Sequence, residues 1–392
     1  MPGLTSTSDN KSGRLHYLIL ITVIISAGLS QGLLLPVMSI LLEQKGVSSS
    51  LNGLNAASLY IGSFAMTLIA ERVLGALGFK RLIAAGISLV LVCLLLFPVL
   101  AGIKTWFILR LLVGVGDSAI NYAAQLWVLL MTPPEHRGRN LSLYGMSYGL
   151  GFSLGPIGIS LLRFGQSVPF LALSILFLLV LLLTATKLPH SRPDRVESGE
   201  GQARRFGRSY SLAWYALIPA LLYGYMEATL NSNFPVYGLR IGYTADQIAT
   251  LLPFAGIGGL LLQLPLGLWS DRYGRKKILM FSGILGGLAF ALLPLANDRF
   301  YLTFLLLMIA GGFVGSFFSL GLAYAADILP RNLLPAANVV SSFHYSAGSI
   351  VGPGIGGLML EYGWGGGVFG LMGALYIMFG LMGLLFSPRI QI

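Results

Sequence analysis

Residues 17–41 read YLILITVIISAGLSQGLLLPVMSIL, 25 consecutive positions without an Asp, Glu, Lys or Arg. At a rise of 1.5 Å per residue such a helix crosses a hydrocarbon layer about 30 Å thick, which takes about 20 residues. Eleven more apolar runs follow, near 54–76, 81–100, 105–131, 140–163, 168–187, 212–237, 247–270, 277–296, 300–326, 335–360 and 364–386. Composition agrees: 55% of the 392 residues are hydrophobic and 10% are charged, against roughly 25% charged in a soluble domain. So few charges could not cover a water-soluble surface. The expected fold is an all-α integral membrane protein with twelve transmembrane helices and both termini on one side. The first run is too long for a cleaved signal segment and has no small-residue cleavage site, so it is read as a retained helix.

A net charge of +11 raises the thought of nucleic acid, but basic residues in a membrane protein first report orientation. Assigning the loops alternately, one side collects Lys11, Arg14, Arg72, Lys80, Arg81, Arg137, Arg139, Lys187, Arg192, Arg195, Arg204, Arg205, Arg208, Arg272, Arg275, Lys276, Lys277, Arg331 and Arg389. The other side holds Lys45, Lys104, Arg163, Arg240 and Arg299, and Arg110 alone lies within a span. Nineteen against five makes the first side, with both termini, cytoplasmic. No nucleic-acid partner is expected; the lipid bilayer is. The single cysteine, Cys93, lies in an apolar run and reads as a small packing residue.

The chain also repeats itself. Gly78-Phe79-Lys80-Arg81 matches Gly274-Arg275-Lys276-Lys277 at a shift of 196 residues, and Gly155-Pro156 matches Gly352-Pro353 at a shift of 197. Two pseudo-symmetric six-helix bundles follow, residues 1–187 and 212–392. The segment 188–211 between them, with Pro193, Gly199, Gly201, Gly207 and mixed charges, reads as a cytoplasmic linker.

The loop after the eighth span reads Gly267-Leu-Trp-Ser-Asp271-Arg272-Tyr-Gly274-Arg275-Lys276-Lys277. It resembles the signature loop of the major facilitator superfamily. Asp271 is suited to pair near a neighbouring helix end, the glycines permit close approach and a tight turn, and the cations stay in the cytoplasm. Gly267, Asp271, Arg272, Gly274 and Arg275 are expected to form a conformational latch; Asp327 and Arg331, at the cytoplasmic end of the tenth span, are read as structural, with completion of that latch as the alternative. The first-half counterpart departs from the pattern, with Glu71 in the first glycine's place and Gly75 in the aspartate's. Arg110-Leu-Leu-Val-Gly114-Val-Gly116 is similar to the family's fourth-helix signature, whose arginine is implicated in proton coupling; a purely structural pairing is the alternative. Gly151-Phe-Ser-Leu-Gly155-Pro156 resembles the family's antiporter motif, with Ile159 and Ser160 in place of its glycine pair. The eleventh span carries the full form, Gly348-Ser-Ile-Val-Gly352-Pro353-Gly-Ile-Gly356-Gly357, and Pro134-Glu135-His136-Arg137-Gly138-Arg139 is another family-like loop. The resemblance covers nearly the whole chain and is nearest the proton-coupled drug and metabolite efflux branch.

An ionisable group at bilayer depth costs roughly 2.5 kcal/mol or more, so each is a functional candidate. In the fourth span Asp117, Asn121 and Gln125 share one face with Arg110 above them. Desolvation of a carboxyl draws proton exchange toward physiological pH, which makes Asp117 the first candidate for a proton carrier; a static ion pair with Arg110 is the alternative. In the seventh span Tyr223, Glu227 and Asn231 form a second polar face, and the 196-residue shift maps Glu227 onto Gln31. Glu227 is read as a proton carrier or the seat of a cationic substrate, against a plain hydrogen-bonded helix contact. His344 and Tyr345, with Ser341 and Ser349, and Tyr144 and Tyr148, with Ser147, offer groups that orient a polar substrate. A packing role is the alternative for His344.

No enzyme signature, cofactor site or metal-ligand spacing is evident. The resemblance implies a monomeric cell-membrane transporter in which two halves rock about a central cavity. It is expected to export a small organic or amphipathic molecule against protons. A proton symporter importing a sugar, osmolyte or organic acid is the rival reading, and a receptor or scaffold that has lost transport is the third.

Overall fold

Long apolar runs in lipid must satisfy every backbone polar group within the segment, which leaves the helix as the economical solution. The computed structural model describes residues 6–132, 136–192, 202–296 and 299–387, and among them there is no strand. The first half comprises α1 (Ser6–Gln44), α2 (Ser49–Leu77), α3 (Phe79–Leu96), α4 (Ile103–Met131), α5 (Arg137–Leu154) and α6 (Val168–Lys187). The second comprises α7 (Gln202–Arg240), α8 (Ala245–Tyr273), α9 (Arg275–Ala296), α10 (Phe300–Val314), α11 (Phe317–Ile328), α12 (Leu334–Glu361) and α13 (Gly365–Met382).

Nine helical stretches, with Phe300–Ile328 taken as one, are long and apolar enough to cross a membrane among the described residues. α4, α7 and α12, which run for 29, 39 and 28 residues, lie outside that set. Nine and three make the twelve crossings. The exteriors are greasy: Leu264 is 70% exposed, Leu295 73% and Ile175 63%, as suits side chains that meet lipid tails.

Three spans are less regular than expected. The fifth tightens after Leu154 into a 3₁₀ stretch over Gly155–Phe164, where Pro156 lacks the N–H that an α-helical turn would use. The tenth is broken between α10 and α11 at Gly315 and Ser316, because glycine supports a helix interior poorly. The seventh begins ten residues early, at Gln202, and bends at Ala213.

By internal contacts the chain divides into two compact units, Met1–Leu34 with Ser58–Val196, and Leu35–Ala57 with Glu197–Ile392. In the first unit, aromatic packing includes Phe79 on Trp127 and Phe97 on Phe170, each at 5.3 Å between ring centroids. In the second, Tyr215 stacks on Phe379 at 4.5 Å, and the buried Tyr376 donates its hydroxyl to the Leu222 carbonyl at 2.9 Å.

Candidate functional site

Each unit holds a polar network, and the same device builds both. In the first unit α1 and α5 meet at glycines: a β-carbon on Gly28 would run into the Tyr148 carbonyl, and one on Gly151 into the Ile25 carbonyl. In the second, α7 and α12 meet the same way, Gly224 against the Tyr345 carbonyl and Gly348 against the Leu221 carbonyl. The four positions of one seam become those of the other at shifts of 196 or 197 residues. Small residues let backbones approach where lipid provides no hydrophobic drive for helix association.

The seams set two equivalent side-chain pairs. Tyr148 donates its hydroxyl to Gln31 Oε1 at 2.7 Å. Tyr345 donates to Glu227 Oε2 at 3.1 Å. The first pair is neutral and the second contains a carboxyl. Both tyrosines have aromatic neighbours, Phe152 at 6.2 Å from Tyr148, and Tyr223 and Phe318 each at 6.1 Å from Tyr345. Phe152 and Phe318 were not singled out from sequence, where nothing distinguishes an aromatic beside a site from one in a core.

Asp117 completes the first network differently. It is 0% exposed, and neither carboxyl oxygen has a hydrogen-bond partner; the Gln31 amide lies close without completing a bond of good geometry. α4 is clamped in place by glycines. A β-carbon on Gly114 would strike the Leu59 carbonyl of α2, and Gly86 of α3 and Gly116 of α4 exclude one another's β-carbons. Asn121 donates to the Asp117 carbonyl at 3.1 Å and its own carbonyl accepts from the Tyr144 hydroxyl at 3.0 Å. Arg110 is fully buried and donates from its terminal nitrogen to the Leu34 carbonyl at 3.0 Å. The alternative of a static Arg110–Asp117 ion pair is therefore set aside, since the Asp117 carboxyl bonds to no donor.

In the second unit Asn231 donates to the Glu227 carbonyl at 2.9 Å. His344 turns toward the Leu217 carbonyl, with 3.1 Å between Nδ1 and the oxygen, and lies edge-on to Tyr210 at 5.5 Å. That places His344 on the α7–α12 seam, away from the Glu227–Tyr345 bond. Among the described residues no group of three His, Cys, Asp or Glu side chains stands ready to hold a metal ion.

The loop between α8 and α9 gathers a separate charged group. Arg275 bridges Asp271 at 3.3 Å and Asp327 of α11 at 2.8 Å. Gly274 turns the chain with φ +95°, a conformation suited to glycine. Ser270 donates to the Gly267 carbonyl at 2.7 Å. Arg272 lies over the Tyr273 ring at 5.5 Å, apart from this ion-pair chain. The side chain of Arg331, and residues 133–135 of the loop before α5, lie outside the described residues.

The Major Facilitator Superfamily model matches residues 20–262 and 210–391. An MFS-type transporter of Bacillus subtilis, YfkF, is 40% identical over 351 residues, 89% of each chain. Multidrug resistance protein 1 of the same organism is 26% identical over 88% of this chain and 89% of its own. Among solved structures, a mutant of the nucleoside transporter NupG superposes with a TM-score of 0.77 at 15% identity, covering 94% of this chain and 99% of that one. A bacterial homologue of the human lysosomal transporter Spinster gives 0.70 at 14% identity, over 95% and 92%. These two structural likenesses concern the fold alone.

Proposed function

The chain belongs to the Major Facilitator Superfamily and is a multi-pass secondary transporter of a small molecule by alternating access; from that premise we propose that it couples export of a small organic or amphipathic molecule to proton entry. The observation that carries the reading is the pair of buried carboxyl groups, Asp117 and Glu227, neither of them in an ion pair among the described residues. Without an ion-pair partner, any change in their charge has to be met by a proton or a cationic cargo, because an isolated charge at that depth costs several kcal/mol.

In this reading Asp117 and Glu227 exchange protons, with Arg110 fixed near Asp117 on the same helix. Gln31, Asn121, Tyr144 and Tyr148 in one unit, and Tyr223, Asn231, His344 and Tyr345 in the other, supply the polar and aromatic contacts to cargo. The Asp271–Arg275–Asp327 chain, with Gly267, Arg272, Gly274 and Arg331, serves as the latch on the side of the termini. That side is cytoplasmic by the nineteen-to-five distribution of basic residues, the protein resides in the cell membrane, and it works as a monomer. The likeness to Multidrug resistance protein 1 supports export.

Proteoliposomes carrying an imposed pH gradient test the coupling. Substrate movement is expected to drive protons the opposite way, and same-direction flux would establish the importing symporter instead. Asp117→Asn, nearly isosteric, removes the titratable group and is expected to lower the proton-coupled rate by roughly tenfold, a rise in the barrier of about 1.4 kcal/mol. An Asp117→Asn protein that couples normally removes Asp117 from the mechanism.

A further inference from the structure

At the ends of the helices away from the termini, one side chain gathers four segments. Arg240, the last residue of α7, donates Nε to Glu43 Oε1 at 2.8 Å and a terminal nitrogen to Glu43 Oε2 at 3.2 Å. The same nitrogen reaches Ser49 Oγ at 2.6 Å, and the other terminal nitrogen reaches the Leu360 carbonyl at 2.7 Å. Glu43 belongs to the end of α1, Ser49 to the start of α2 and Leu360 to the end of α12. Beside it, Glu361 accepts from the Ser50 backbone N–H at 3.1 Å. An arginine thus meets the carbonyl end of one helix while a carboxylate meets the amide end of another, each the favourable sign for that helix terminus.

A second observation at the same place is steric and owes nothing to charge. A β-carbon on Gly53 of α2 would run into the Pro353 carbonyl of α12, and one on Gly357 of α12 into the Ser49 carbonyl of α2. Below them Asn52 donates to the Ser39 carbonyl at 2.9 Å, tying α2 to α1. Residues 35–57 accordingly group with residues 197–392 and not with the rest of the first half. The second glycine pair of the Gly348–Gly357 motif, Gly356 and Gly357, therefore lies against Asn233 and Ser49, which gives that motif a local task.

We propose that Arg240, with Glu43, Ser49 and the Gly53–Gly357 seam, is a clasp that keeps the ends of α1 and α2 closed on α7 and α12, and that it must release in each transport cycle. An isolated exposed ion pair contributes little. Here one planar guanidinium satisfies four acceptors at once, a fork that lysine does not reproduce, and the seam beneath it tolerates no added atom. The inference needs only alternating access, so it stands or falls separately from proton coupling and from the direction of transport.

The test is pulsed electron–electron resonance between nitroxides at Leu51→Cys and Tyr301→Cys, both exposed, in protein carrying Cys93→Ala. Arg240→Ala is expected to raise the longer-distance population at least threefold over the parent. Gly357→Ala, which wedges the seam and touches no charge, is expected to do the same, and Lys104→Ala, an exposed cation of α4, to change nothing. Should Arg240→Ala fail to fold, Glu43→Gln takes its place, with a smaller shift in the same direction. Unchanged distributions in the folded clasp and seam variants, or an equal shift in Lys104→Ala, would overturn the clasp.

Discussion

The two units solve one problem with different chemistry. Each closes a glycine seam, Gly28–Tyr148 in one and Gly224–Tyr345 in the other, and each seam delivers a tyrosine hydroxyl to the helix that opens its half. In the first unit the acceptor is the amide of Gln31; in the second it is the carboxyl of Glu227. The first unit instead places its carboxyl on α4, at Asp117, without a donor. A shift of 197 residues from Asp117 arrives at Val314, where α10 ends. The duplicated backbone is conserved between the halves while the ionisable group has moved, so the two carboxyls are unequal: one carries a hydrogen bond, the other none.

The strongest way to break this asymmetry is Glu227→Gln, which turns the second pair into a copy of the first. Proton-coupled flux in proteoliposomes is expected to fall on the order of 100-fold, the scale of about 3 kcal/mol, with the protein still folded by size-exclusion chromatography. Retained coupling would show that the difference between the pairs is decorative. The seams themselves come next. Gly28→Ala and Gly224→Ala push a β-carbon into a carbonyl and are each expected to cost about 1 to 3 kcal/mol of stability, read as a lowered unfolding temperature in detergent. Gly145→Ala on α5, where nothing lies within 4 Å, serves as the control and is expected to be neutral or slightly stabilising. Equal losses at all three positions would mean that seam packing is not what holds the pairs.

The smallest effects sharpen the comparison. Tyr345→Phe removes a bond to a carboxyl, and Tyr148→Phe removes one between neutral groups. Bonds to charged groups contribute about 1.5 to 3 kcal/mol and neutral ones about 0.5 to 1.5, so KM is expected to rise roughly tenfold in the first variant and roughly threefold in the second. The reverse order would place the charged interaction elsewhere.

Much of this was legible in the residues. The Gly267–Lys277 loop carried the family resemblance, and the 196-residue shift already paired Gln31 with Glu227. Tyr148 and Tyr345 were evident as polar groups on the fifth and eleventh spans, but their bonding partners were not, because a helical wheel says which face a residue is on and not which carbonyl lies opposite. Asp117 and Arg110 share a helix face, which suggested a pair; in the structure Arg110 donates to the Leu34 carbonyl and the Asp117 carboxyl has the Gln31 amide beside it. Arg240 was counted only as a loop cation, and Glu43 and Glu361 were not singled out, since partners 197 and 311 residues apart in sequence leave no local pattern.

Sequence by itself determined that this chain lives in lipid, crosses it twelve times and is built from a duplicated unit, because hydrophobic length and repetition are properties of consecutive residues. Only the tertiary structure decided which carboxyl is hydrogen-bonded, where the glycines press backbone on backbone and how one arginine ties four helix ends together. Those outcomes depend on distances of 3 to 4 Å between residues far apart in the chain, and such distances are set by packing alone.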